Sequence, residues 1–144
     1  MRKTFVVLAT TATLLASVLA PAASFASDYF YERERNNNRT TADRVSVPVT
    51  IFGERNDVDG ENDEDFFVFK APSSGIYEFD MRVGSETDQD LYLYDQTGEH
   101  QIAHSFKSKG RDEYFSVFLN EGREYYVKVK HISGNENYTL NIKS

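Results

Sequence analysis

Asp90-Leu91-Tyr92-Leu93-Tyr94-Asp95 alternates without a break between aliphatic and aromatic side chains, and its reading decides the fold. Successive side chains of a strand point to opposite faces, so Leu91 and Leu93 face a core while Tyr92 and Tyr94 face outward. The same period runs on both sides of it. Upstream, Tyr77, Phe79, Met81 and Val83 alternate with Glu78, Asp80 and Arg82 after the turn Pro72-Ser73-Ser74-Gly75. Downstream, Phe115, Val117 and Leu119 alternate with Tyr114, Ser116 and Phe118. Tyr125, Val127 and Val129 alternate with Tyr126, Lys128 and Lys130, and Tyr138, Leu140 and Ile142 with Thr139, Asn141 and Lys143.

Further strands are expected over Val45 to Ile51, over Asp65 to Lys70 (whose in/out phase the aromatics leave open) and near Ile102 to Phe106. Val45, Val47, Val49 and Ile51 share a face, and Pro48 points to an edge position because it cannot donate to a ladder. That makes about eight strands at the spacing of sandwiches and barrels, with no helical period. The expected fold is all-β: an antiparallel β-sandwich, jelly-roll-like, with one wet face on each sheet.

Residues 1–26 read as a signal peptide. Arg2 and Lys3 precede an uncharged apolar run from Phe5 to Leu19, and Ser24-Phe25-Ala26 offers small residues where a signal peptidase cuts. The run falls short of the roughly 20 residues that span a bilayer. The expected product is secreted and extracellular, begins at Ser27 and touches no membrane after cleavage. Residues 27–44 form a polar, Asn-rich arm with too little apolar surface to dock alone, and 45–144 form the sandwich domain.

The formal net charge is −7, from 16 Lys and Arg against 23 Asp and Glu, and loss of Arg2 and Lys3 makes it more negative. Such a chain repels nucleic acid, whose phosphates need cations opposite them. Cysteine is absent, so no disulfide can fasten the arm or the loops. Seven acids lie between Glu54 and Asp65, with only Arg55 against them. Hard divalent cations favour such oxygen ligands, which makes calcium the candidate fastener; a merely solvated acidic loop is the alternative.

Other chemistry is poorly supported. An EF-hand loop needs Gly at its sixth position and Glu at its twelfth, but counting from Asp57 puts Gly60 fourth and Val68 twelfth, between flanks that read as strands. His100 and His104 lie on a strand or loop, roughly 13 Å apart by strand rise, too far to share an ion. There is no Cys nucleophile, no Gly-x-Ser-x-Gly elbow and no Gly-rich phosphate loop. A non-catalytic protein is expected. Tyr92, Tyr94 and Tyr126, with Tyr114 and Phe118 as further candidates, offer flat apolar area with polar tips, suited to extended polypeptide or sugar.

The order of these segments, the acidic run Asp57-Val58-Asp59-Gly60-Glu61-Asn62-Asp63-Glu64-Asp65, then Asp90 to Asp95, then Gly122-Arg123-Glu124-Tyr125-Tyr126-Val127-Lys128-Val129 and Tyr138-Thr139-Leu140, resembles the bacterial pre-peptidase C-terminal domain family. That family includes the collagen-binding domains of clostridial collagenases: non-catalytic sandwich modules of secreted proteases, some binding calcium. The resemblance covers residues 30–144. It implies a calcium site in which Glu32, Glu34 and Asn36 match a Glu-x-Glu-x-Asn-Asp motif. Asn37 departs from it by replacing a carboxylate with an amide. Asp63 and Asp65 are the best-matched loop ligands, with Asp59 and Asn62 as open alternatives. Collagen lies on tyrosines of one sheet in the collagenase modules; those positions have no one-to-one match here, so collagen binding is not carried over. The expected function is a secreted, calcium-stabilised binding module engaging an exported protein, a matrix polymer such as a polysaccharide, or a separately encoded secreted protease. The alternatives are a structural matrix or surface protein assembling through sheet edges, or a small secreted hydrolase.

Overall fold

A computed structural model describes residues 28–55 and 63–144, and these described residues form ten strands and no helix. The signal segment and the loop residues Asp57, Asp59, Glu61 and Asn62 lie outside the described residues. The strands are β1 (Asp28–Tyr31), β2 (Asp43–Arg44), β3 (Val49–Gly53), β4 (Glu64–Lys70), β5 (Gly75–Arg82), β6 (Asp88–Tyr94), β7 (Gln101–Ser105), β8 (Glu113–Leu119), β9 (Glu124–Ser133) and β10 (Tyr138–Lys143). They make two five-stranded sheets, in the orders β1-β3-β10-β5-β8 and β2-β4-β9-β6-β7.

The strands legible from alternation are β3 to β10, and every pairing among them is antiparallel. Leu91 and Leu93 are fully buried while Tyr92 and Tyr94 are half-exposed. The open phase of β4 resolves as Phe67 and Phe69 inward. Phe66 and Val68 are buried as well, on the other side of the sheet. Phe69 joins the layers: its ring lies 6.2 Å from both Tyr77 and Phe79 of the facing sheet and 5.9 Å from Tyr125 beside it.

Two expectations change. The segment 28–44 is not an undocked arm: β1 pairs parallel with β3, and β2 pairs parallel with β4, which makes both sheets mixed. Aromatic contacts explain much of the docking: Phe30 packs edge-on against Phe67 at 6.5 Å, and Tyr29 and Tyr31 stack on Phe52 at 6.0 and 5.1 Å. The strand expected over Val45 to Ile51 is also divided. Its valines do face the core, but the chain leaves one sheet after Arg44 and joins the other at Val49, turning at a cis Val47-Pro48 bond. Pro48 therefore precedes β3, an interior strand, and its carbonyl accepts from the Asp28 N–H at 3.4 Å.

Large aromatic truncations in such a core cost about 3–5 kcal/mol. Phe69→Ala should lower urea-unfolding stability by that amount, whereas Ile132→Ala, at a site 47% exposed, should stay within about 0.5 kcal/mol of the parent. Equal losses at both positions would contradict the core described here.

Candidate metal centre

The site lies at the end of the sandwich where β1 and β3 finish and β4 and β10 begin. Register fixes this: Tyr31 is opposite Phe52, and Gly53 opposite Tyr138. From Tyr31 the chain crosses this end to reach β2 on the other sheet, and backbone bonds hold the crossing. Glu32 N–H donates to Phe52 C=O at 3.0 Å, and Phe66 N–H donates to Asn36 C=O at 3.0 Å. Arg35, at φ 75°, is in the left-handed region, a conformation that costs a non-glycine residue about 1 kcal/mol or more. That turn precedes Asn36, which is fully buried. Arg33 anchors the crossing further: its N–H donates to Asp43 Oδ2 at 2.8 Å and its guanidinium lies 5.4 Å over the Phe30 ring.

Glu32, half-buried, sits at the centre. One oxygen accepts from Asn36 Nδ2 at 2.9 Å and the other from the Glu54 N–H at 2.8 Å. Asp65 comes from the core-facing phase of β4, buried with Asp63 just before the strand. Its Oδ2 accepts from the Tyr138 hydroxyl at 2.7 Å, a bond that ties the two sheets together. Gly53 makes room for that tyrosine, because a Cβ there would collide with the Tyr138 ring.

The electrostatics are those of a site short of positive charge. Burial first, then the hydrogen bond to Glu32 and that carboxylate's charge, push the Asp65 carboxyl up to about 10; Tyr138 opposes this and Asp63 adds to it. A buried carboxyl beside another carboxylate is accommodated only with a proton or a cation. Asn36 Oδ1 and Asp65 Oδ1 are buried without a hydrogen-bond partner, an arrangement that native interiors rarely leave unexplained. The donors are all oxygen. The residues present thus fit a hard cation such as calcium. Among the described residues, no group of three or more His, Cys, Asp or Glu is by itself disposed to hold an ion; the cluster mixes carboxylates with an amide oxygen.

Of the sequence candidates, Glu32, Asn36, Asp63 and Asp65 are brought together. Asn37 is half-buried, and Glu34 is exposed. Tyr138 and Gly53 escaped sequence reading because each carries an ordinary strand-residue signature.

The tyrosine face is on the outside of the sheet holding β4, β9 and β6. Tyr94 is opposite Tyr126, and Tyr92 opposite Lys128. All are half-buried, and Lys128 lies across Tyr92 and Tyr94: its ammonium is 4.9 Å from the Tyr92 ring centre, 5.8 Å from Tyr94 and 5.9 Å from Phe66. Glu64 steadies that cation at 3.4 Å. His104 is a surface residue stacked on Phe106 at 4.3 Å, and His100 is exposed.

No family model and no curated protein matches the chain. Among solved structures, the pre-peptidase C-terminal domain of collagenase from Bacillus anthracis superposes with a TM-score of 0.60 at 19% identity, over 71% of this chain and 94% of that one. The chain has the fold of a pre-peptidase C-terminal domain. PliG of Aeromonas hydrophila, a periplasmic lysozyme inhibitor of g-type lysozyme, matches with a TM-score of 0.48 at 9% identity, over 82% and 98% of the two chains. A family 35 carbohydrate binding module from Clostridium thermocellum gives 0.40 at 16% identity, over 56% and 69%.

Two predictions follow from the buried carboxyl pair. A carboxyl whose folded pKa is raised contributes stability that is full below its unfolded value, near 3.8, and is lost as pH climbs toward the folded value near 10. Chelator-treated protein should therefore lose stability relative to Asp65→Asn between about pH 5 and pH 8, by about 1 kcal/mol or more in urea titrations; parallel pH profiles would contradict it. Gly53→Ala should displace Tyr138 and cost about 1–3 kcal/mol, with Tyr138→Phe producing part of that loss through the missing bond to Asp65.

Proposed function

We propose that the chain is an exported, non-catalytic binding module whose crossing segment is locked to its sandwich by calcium. The observation that carries the reading is the pair of unpartnered buried oxygens, Asn36 Oδ1 on the crossing and Asp65 Oδ1 on the opposite sheet, beside the Glu32 carboxylate that Asn36 holds. Glu32, Asn36, Asp63 and Asp65 would hold the ion, with Glu34 and Asn37 as further ligands in the motif. Bound there, calcium supplies the positive charge that the pair otherwise takes from a proton. The chain's own residues do the rest. Backbone donors orient Glu32, Tyr138 orients Asp65, and burial excludes water.

Export is supported by the leader-like first residues. The non-catalytic reading is supported by the fold of the Bacillus anthracis domain. The ligand surface is the Tyr92, Tyr94 and Tyr126 face. Its aromatic area, centred on one cation, suits an exported protein, including a secreted protease, or a polysaccharide.

Calcium at a hundredfold excess over its Kd should stabilise the folded form by about 2.7 kcal/mol. The test is thermal unfolding and limited proteolysis with and without millimolar calcium. We expect a higher Tm and a protected 32–42 segment, both erased by Glu32→Ala or Asp63→Ala. Asp112→Ala removes a bond to the Val83 N–H; it should lower the baseline and keep the calcium increment. No heat, no thermal shift and no protection would overturn the calcium reading.

A further inference from the structure

We propose that β8 is a self-pairing edge, through which two copies of this chain join antiparallel about a two-fold axis at Ser116. β8 ends its sheet, with β5 on one side only. It is seven residues long, against two for β2, four for β1 and five for β7, the other terminal strands. Natural proteins shorten, bulge or cover such edges. β7 carries a register shift against its neighbour, while β8 pairs regularly with β5 along its whole length.

The backbone groups of β8 that point away from β5 can be identified. Tyr114 N–H donates to Ser105 Oγ, and Val83 N–H, continuing β5, reaches Asp112 on the β8 side. By strand alternation, the N–H and C=O of Ser116 and Phe118 then face the open edge, together with the Tyr114 C=O. Pairing centred on Ser116 exchanges bonds between the two Ser116 residues. It also carries each Phe118 N–H to the Tyr114 C=O of the other copy. The bond from Ser105 to Tyr114 stays in place.

Side chains agree with that centre. Tyr114 and Phe118 are 48% and 58% exposed and stand equally far from Ser116 on the outer face. The two-fold therefore lays each Phe118 beside a Tyr114, and Ile76, 57% exposed and directly opposite Phe118 on β5, extends the apolar row. Beyond the strand ends, the same register brings Arg111 opposite Glu121, both exposed, so the contact is complementary in charge as well as shape. On the inner phase, Phe115 and Val117 are only partly buried within one copy and would face each other across the axis. The edge fits its own reverse.

A contact of one strand buries less than the roughly 1,600 Å² of a standard interface, so the dimer should be weak and reversible. Sedimentation velocity on the purified protein, from about 10 µM to 1 mM, is the test. We expect concentration-dependent dimer. Ser116→Pro should abolish it while leaving the circular dichroism spectrum intact, because the lost N–H faces outward and the β5 ladder is untouched. Arg111→Glu and Glu121→Arg should each weaken dimerisation about tenfold, and the double exchange should restore it. A monomer at 1 mM, a dimer indifferent to Ser116→Pro, or single reversals that the double exchange does not rescue would overturn the proposal. These outcomes do not depend on calcium, so they stand apart from the reading of the metal centre.

Discussion

The contact between the Glu32 and Asp65 carboxyl groups is the constraint around which this end of the molecule is arranged. A buried carboxyl pair is unfavourable unless a proton or cation comes with it, yet several features serve to keep it in place. The Phe52 carbonyl and the Glu54 N–H fix Glu32, and Tyr138, admitted by Gly53, fixes Asp65. Asn36 is held at once by its own carbonyl and by Glu32. Donors recruited from β3, β4, β10 and the crossing converge on a few oxygens. Such convergence is costly for stability alone and sensible for holding an ion.

The same strand links this centre to the tyrosine face. Along β4, Asp65 points inward to the carboxyl cluster, while Glu64, one residue earlier, points outward to Lys128. Lys128 in turn lies against Tyr92, Tyr94 and Phe66. Whatever fixes the start of β4 therefore also fixes the cation at the centre of the aromatic surface. The rings are not a vacant platform. A ligand stacking on Tyr92 or Tyr94 shares them with Lys128 or moves it, so an anionic or carbonyl-rich ligand suits this face better than a cationic one.

Alternation made strands such as β5, β6, β9 and β10 legible because each buries one phase against a single core, as Leu91 and Leu93 show, while β4, buried on both sides, showed as a strand of open phase. It failed at β1 and β2 for a physical reason. Edge strands docked by one inward aromatic, Phe30, with Tyr29 and Tyr31 stacked on Phe52 outside, and by one buried acid, Asp43, need no sustained apolar period. It failed again at Val45 to Ile51, where four valine and isoleucine positions of one phase serve two different sheets. Local pattern carries face and not partner. The clustering of Glu32, Asn36, Asp63 and Asp65, the candidate metal site, was legible because acids and amides at the ends of strands are conspicuous. Tyr138 and Gly53 were not, since their roles appear only once β10 lies beside β3.

The edges of the two sheets are treated unequally, and this bears on how two tyrosine faces would be presented together. One edge of the first sheet is covered by β1, a strand drawn from the polar segment, and the second sheet ends in the very short β2 and the irregular β7. At the start of β8, Lys107 places its ammonium on the Asp112 carbonyl at 2.6 Å, closing the edge there and leaving its centre for a partner. In the proposed dimer the axis runs perpendicular to the continuous sheet, so the two Tyr92, Tyr94 and Tyr126 faces point to the same side. A repeating polymer could then engage both faces at once. Its second contact would be intramolecular, raising avidity even where each face binds weakly. A weak dimer would then suffice, because binding to the polymer would itself draw the two copies together.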